Sequence, residues 1–200
     1  MFIQVITATV ADLEGLRRQV ERWQQEVRPG AIGYLGTTAG VTADGRCAVL
    51  ARFESPEAAA RNSQRLEQGN WWAETEKCLD GVSFQESIAV DTMLGGGNNG
   101  AGFVQVMRGR VSDPQKLEEL GQRKSEIEAA LRAARPDVIG DVMAITADGA
   151  YIEAVYFRSE AEARAAEARP LPDDMAALMG EFMAAVEIEE YFDLEDPWLH

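Results

Sequence analysis

The chain has a single histidine, His200, only two cysteines, Cys47 and Cys78, and no apolar run near the roughly 20 residues that a membrane helix needs. One histidine at the far end of the sequence leaves no histidine for general-base chemistry unless the tail folds back. The two cysteines sit in a strand-like and a helix-like run with no metal-ligand spacing, so two reduced thiols and no metal are expected. Basic residues are also scarce: 19 Lys and Arg stand against 34 Asp and Glu, giving a net charge of -15 with no basic run. Phosphate binding draws on clustered cations, so nucleic acid and anionic membrane surfaces are excluded as partners. Residues 1 to 10 lack the charged start and long apolar stretch of a secretory signal, and a cytoplasmic location is expected.

What is present is globular. The 200 residues are 46% hydrophobic and 26% charged, enough for one large domain or two small ones. The acid is unevenly shared, with 13 acidic residues in positions 1 to 94 and 21 in positions 101 to 200. The tail carries Glu187, Glu189, Glu190, Asp193, Glu195 and Asp196, which fits a solvated strand edge whose charges discourage edge pairing.

The chain repeats itself. Phe2-Ile3-Gln4-Val5 recurs as Phe103-Val104-Gln105-Val106, Arg28-Pro29 with Ile32-Gly33 recurs as Arg135-Pro136 with Ile139-Gly140, and Thr42-Ala43-Asp44-Gly45 recurs as Thr146-Ala147-Asp148-Gly149. The matches fall at turns and caps in the same order, at offsets of 101, 107 and 104 residues, as a duplication requires.

Each half reads alike. A Val, Ile and Thr-rich strand over 2 to 10 leads to a helix capped by Asp12, with apolar residues at helical spacing through Leu13, Leu16, Val20, Trp23 and Val27. Asp113-Pro114 opens its twin. Two strands then flank Asp44-Gly45 and Asp148-Gly149, dipeptides suited to hairpin turns. A second helix starts at Ser55-Pro56-Glu57 and at Ser159-Glu160, and a last strand runs over 82 to 91 and 186 to 193. Each βαββαβ half covers one sheet face with its helices and leaves the other needing a partner, which the second copy supplies. The expected organisation is a first ferredoxin-like repeat over 1 to 94, a flexible Gly/Asn-rich linker over 95 to 101, and a second repeat with an acidic tail over 102 to 200.

The opening strand Phe2 to Thr9, the Ala51-Arg52-Phe53-Glu54-Ser55-Pro56-Glu57-Ala58 junction and the Arg61-Asn62-Ser63 and Trp71-Trp72 pattern resemble the antibiotic-biosynthesis-monooxygenase domains of the dimeric α/β-barrel type. The resemblance implies an α+β fold, two ferredoxin-like repeats whose antiparallel sheets pack face to face as a pseudo-dimeric barrel within one chain. It leaves the activity open, because that superfamily hosts several chemistries. Its haem-degrading branch ligates iron through a histidine, which the position of His200 argues against. The cofactor-free oxygenases of the family need an apolar slot with a few donors to hold an enolate or phenolate.

The residues available for such a slot are Gln4, Tyr34, Arg52, Asn62, Trp71 and Trp72 in the first half, with Gln105 and Glu153 in the second. Gln4 and Gln105 are polar positions on apolar strands, sharing a face with Phe2 and Ile6 in the first half. Trp71 and Trp72 are read as helix-start anchors, of which at most one faces a given pocket. Glu153 stands where the first half has Val49, either as a carboxylate of raised pKa or, the favoured reading, paired with Arg108 or Arg110. Three functions remain open: a binder of a small apolar or aromatic compound, a cofactor-independent monooxygenase, and a structural pseudo-dimer without ligand. None requires a cofactor, and further oligomerisation stays compatible with all three.

Overall fold

The computed structural model describes all of residues 1–200. The first half runs β1 (Phe2–Val10), α1 (Leu13–Arg22), β2 (Tyr34–Val41), β3 (Arg46–Phe53), α2 (Pro56–Ser63), α3 (Leu66–Thr75) and β4 (Leu79–Met93). The second runs β5 (Phe103–Val111), α4 (Pro114–Gln122), α5 (Lys124–Ala134), β6 (Val138–Thr146), β7 (Ala150–Phe157), α6 (Glu160–Glu167), α7 (Asp173–Met183), β8 (Val186–Leu194) and the short β9 (Trp198–Leu199). The expected caps form in both copies: Asp12 accepts from the Gly15 N–H, Asp113 from Lys116, Ser55 from Ala58 and Ser159 from Glu162.

The helices differ from the single ones expected, because most are broken in two. α1 runs on into a π turn over Trp23–Val27 and a 3-10 turn over Arg28–Gly30. Arg65 adopts an extended backbone between α2 and α3. Between α6 and α7, Pro170 and Pro172 forbid a continuous helix by removing backbone donors.

All ladders are antiparallel, in the order β8-β5-β7-β6-β4-β1-β3-β2-β9. β4 joins the halves: its first part pairs with β1 as far as Glu86, and from Ser87 onward it pairs with β6. Where the ladder changes partner, the Ser87 hydroxyl accepts the buried Ile3 N–H at 2.8 Å. The second half repeats the device with a break. β8 pairs with β5, Pro197 interrupts, and β9 then pairs with β2 through Ala39–Trp198 and Thr38–Leu199, so the ring of strands closes.

The acidic tail runs along the seam of the barrel, where β8 is the end strand of the order and Glu187, Glu189, Glu195 and Asp196 are exposed, as a solvated edge requires. Its carboxylates meet cations across that seam and along β5: Asp196 pairs with Arg17, Glu190 with Arg108, Glu189 with Arg110 and Asp193 with Arg164. Arg46 also reaches over to the Tyr191 carbonyl.

Alternation along each strand sends one set of residues into the barrel and the other toward the helices. Ile3, Val5, Leu50, Val104, Val106, Ile152 and Leu194 fill the barrel with almost no exposure, each contributing about 1.5–3 kcal/mol of burial. The interior is solid. Its polar island consists of Arg52, Thr38 and Tyr156: the Arg52 Nη1 donates to Thr38 Oγ1 at 2.7 Å and to Tyr156 Oη at 3.0 Å. Arg52 and Tyr156 are repeat-equivalent positions, and they meet inside the barrel. The linker lies over this end, with Asn98 donating to the Ile139 carbonyl and Gly97 against the Arg52 guanidinium. At Gly140 any side chain would strike the Gly96 carbonyl, since a Cβ there would sit 2.2 Å from it.

Candidate functional site

Between the outward sheet face and the helices lies one cavity per half, about 440 Å³ in the first and about 310 Å³ in the second. Both fall in the roughly 300–1,000 Å³ range of small-ligand pockets. The strand registers give each a matching floor. In the first half the row Trp198–Ala39–Val49–Ile6–Phe84 lies beside Thr37–Ala51–Gln4–Glu86. In the second, Asp91–Met143–Glu153–Met107–Tyr191 lies beside Met93–Asp141–Val155–Gln105–Asp193. One floor is mainly apolar and aromatic, with Thr37, Gln4 and Glu86 in one of its rows. The other alternates methionine with carboxylate.

The first cavity is walled by a chain of aromatic rings, Phe53–Tyr34–Trp23–Trp71–Trp72–Phe84, with successive centroids 4.9 to 6.2 Å apart. Trp71 and Trp72 both line it, contrary to the expectation that only one would. They lie in the middle of α3 and not at its start. Trp71 turns toward α1, where its indole N–H donates to the Gln19 carbonyl at 2.7 Å, while Trp72 packs on Phe84 of β4; the cavity beneath the helix is wide enough to meet both.

Gln4, Tyr34 and Asn62 line the same cavity, and Arg52 does not, because its strand position points into the barrel. Gln4 donates to Glu86 at 3.4 Å, and Asn62 is occupied by Gln68 and Arg65. Burial pushes the Tyr34 hydroxyl up, offset by the Thr37 hydroxyl it donates to and by the charges of Arg28 and Arg52. Cys47 also faces this space, but burial raises its thiol to about 12, so it stays protonated and unreactive.

The residue that sequence reasoning set aside is His200. The tail does fold back: the Thr37 N–H donates to the His200 carbonyl at 2.8 Å, the His200 N–H donates to the Thr37 carbonyl at 3.0 Å, and the side chain lines the first cavity. Its Nε2 is buried without a hydrogen-bond partner. Burial, then the charge of Arg28, lowers the imidazole pKa, so it is neutral at pH 7. Arg28 is exposed and free of any carboxylate. Its counterpart Arg135 is paired with Asp137, and the first half has Gly30 where Asp137 stands. The duplicated Arg-Pro block held that signal. Nothing in the sequence announced that β9 would return His200 to the cavity.

In the second cavity Gln105 donates to Asp193 at 2.8 Å. Glu153 forms no ion pair with Arg108 or Arg110, which are taken by Glu190 and Glu189. It lies instead beside Asp141, one step diagonally across β6 and β7. Both carboxyls are buried, and burial followed by the Glu153 charge drives Asp141 well above the usual carboxylate range; burial also raises Glu153. Asp141, an acid on an apolar strand, gave the same signal as Glu153 and was missed.

The arrangement of two ferredoxin-like repeats in one closed ring, each with a cavity under its helices, is the dimeric α/β-barrel architecture expected from the sequence. No protein-family model matches the chain, and no curated protein does. Among solved structures the chain is similar to a candidate monooxygenase from Lactobacillus acidophilus, with a TM-score of 0.72 at 13% identity, covering 100% of this chain and 98% of that one. It is also similar to a candidate monooxygenase from Fusobacterium nucleatum, with a TM-score of 0.74 at 9% identity over 100% and 93% of the two chains. An anthrone oxidase-like protein matches with a TM-score of 0.62 at 13% identity, over 99% and 90%. At these identities the likeness is one of fold.

Proposed function

We propose that the protein binds a small, flat aromatic compound in the cavity of its first half. The observation that carries this is the aromatic wall from Phe53 to Phe84 around about 440 Å³ of mostly apolar space. Ring faces of this kind hold another ring by offset or edge contacts, with about 0.5–1.5 kcal/mol per pair beyond area burial. The test is titration with 2-naphthol followed by tryptophan fluorescence and calorimetry. Saturable binding that drops at least tenfold in a Trp71→Ala plus Trp72→Ala variant supports the reading, and equal binding by both proteins overturns it.

A second reading, cofactor-independent oxygenation of the bound compound, is favoured by the free Nε2 of His200. A neutral imidazole in an apolar slot takes the proton of a phenol or enolisable ketone, and the charge of Arg28, which reaches Tyr34 and His200 from outside the cavity, favours the resulting anion. With an anthrone-like substrate, the electron-rich anion reacts with dioxygen. One oxygen atom converts the ring methylene to a carbonyl, and the other leaves with both methylene hydrogens as water. The names of the neighbouring structures, two candidate monooxygenases and an anthrone oxidase-like protein, are consistent with this chemistry. Oxygen uptake with anthrone that exceeds background and falls in His200→Gln supports it; background uptake by both proteins refutes it.

A further inference from the structure

The second cavity differs from the first in the side chains that line it. Six of the chain's seven methionines line it: Met93, Met107, Met143, Met175, Met179 and Met183. Methionine side chains are unbranched and polarizable, and they adapt to irregular apolar shapes. Set in this floor are Asp141 and Glu153, at 3% and 6% exposure, neither receiving a hydrogen bond from any N–H group or meeting a cation.

The other charges around the cavity are matched. Lys124 of α5 pairs with Asp91 of β4, Arg135 with Asp137, and Glu167 of α6 with Arg164. Tyr151 of β7, packed against Phe182 of α7, lies beside Glu153, with its buried hydroxyl placed to donate to that carboxyl. Two carboxyls held side by side and buried resist ionising together, so the pair retains a proton. Ionising the pair leaves a buried charge that is costly unless paired; Lys124 acts on Asp141 only from a distance, engaged as it is by Asp91, and no cation of the protein contacts either carboxyl.

We propose that the second half carries a ligand site of its own, and that its ligand is a hydrophobic amine. The protonated nitrogen seats against Asp141 and Glu153, and the apolar body lies among the methionines. The first half has Thr37 and Val49 at the two carboxyl positions, so the duplication has diverged into one aromatic and one cationic specificity. The site stands independently of what the first cavity binds.

The probe is n-hexylamine against 1-hexanol, equal in length and differing in charge, titrated at pH 7.5 by calorimetry. Hexylamine is expected to bind at least tenfold more tightly, and an Asp141→Asn plus Glu153→Gln variant is expected to erase that ratio. A Trp71→Ala plus Trp72→Ala variant in the other cavity keeps it. On wild-type protein with methyl-labelled methionine, hexylamine should shift the six cavity methyl resonances in one saturable process while Met1 stays put, a readout that needs no variant to fold. Equal binding of amine and alcohol, an amine preference that survives loss of both carboxyls, or unmoved methionine signals at millimolar hexylamine overturns the proposal.

Discussion

Replacing Asp141 with asparagine should stabilise the protein, by an amount that depends on pH. The side chain keeps its shape and its amide donates to Glu153, while the titrating group is gone. In the wild type the folded-state pKa of Asp141 lies well above its unfolded value because of burial and the Glu153 charge. The folded state therefore binds a proton that the unfolded chain releases. The stability this group contributes is complete below the unfolded pKa near 3.8 and is lost as pH rises through the folded value. Each unit of elevation corresponds to about 1.4 kcal/mol. A buried polar group without its full complement of partners costs about 1–3 kcal/mol, which sets the size of the expected effect. At pH 8 the variant should gain about 1–3 kcal/mol, which for a chain of this size raises Tm by about 2–4 °C for each kcal/mol. At pH 4 the two proteins should be nearly equal. Urea denaturation of both from pH 4 to 9 isolates the titration of the Asp141–Glu153 pair, since the titrating groups not coupled to it cancel in the difference. A variant that is less stable at pH 8, or a difference that does not change with pH, would refute the reasoning.

Other outcomes follow from single contacts. Ser87→Ala leaves the buried Ile3 N–H without an acceptor where β4 changes partner, and should cost about 1–3 kcal/mol in denaturation. Gly140→Ala should push the Gly96 carbonyl outward and increase protease cleavage within residues 95–100, without abolishing folding. If His200 is the base, oxygen uptake should fall as pH drops through a midpoint below 6.5, because burial lowers the imidazole pKa and the neutral form persists to lower pH than usual.

The fold was legible because duplication writes its constraints twice. Asp12 and Asp113, Ser55 and Ser159, and the two Asp-Gly turns each mark a boundary that local geometry demands, and the structure has them there. The helix breaks were less visible, since the extended backbone at Arg65 is set by tertiary packing and has no proline to mark it. At the sites, strand alternation gave the face of Gln4 and Gln105. It did not tell which face Arg52 takes, because an arginine inside a barrel is contrary to the usual preference and is satisfied only by Thr38 and Tyr156 from elsewhere in the chain. Glu153 was read against arginines on the neighbouring strand, but those point to β8, and the decisive partner, Asp141, is fixed by register between β6 and β7. His200 was out of reach of any local rule. Its place depends on β9 pairing with β2, a contact spanning more than 150 positions of sequence.

The central claim is that the two cavities of one duplicated barrel have become different sites, the first for an aromatic compound. A crystal structure of the protein soaked with 2-naphthol tests it most directly. The ring is expected in the first cavity, between the sheet positions Ile6 and Val49 and the indoles of Trp71 and Trp72, with its hydroxyl toward His200. Naphthol among the methionines of the second cavity instead, or in neither, would contradict the account.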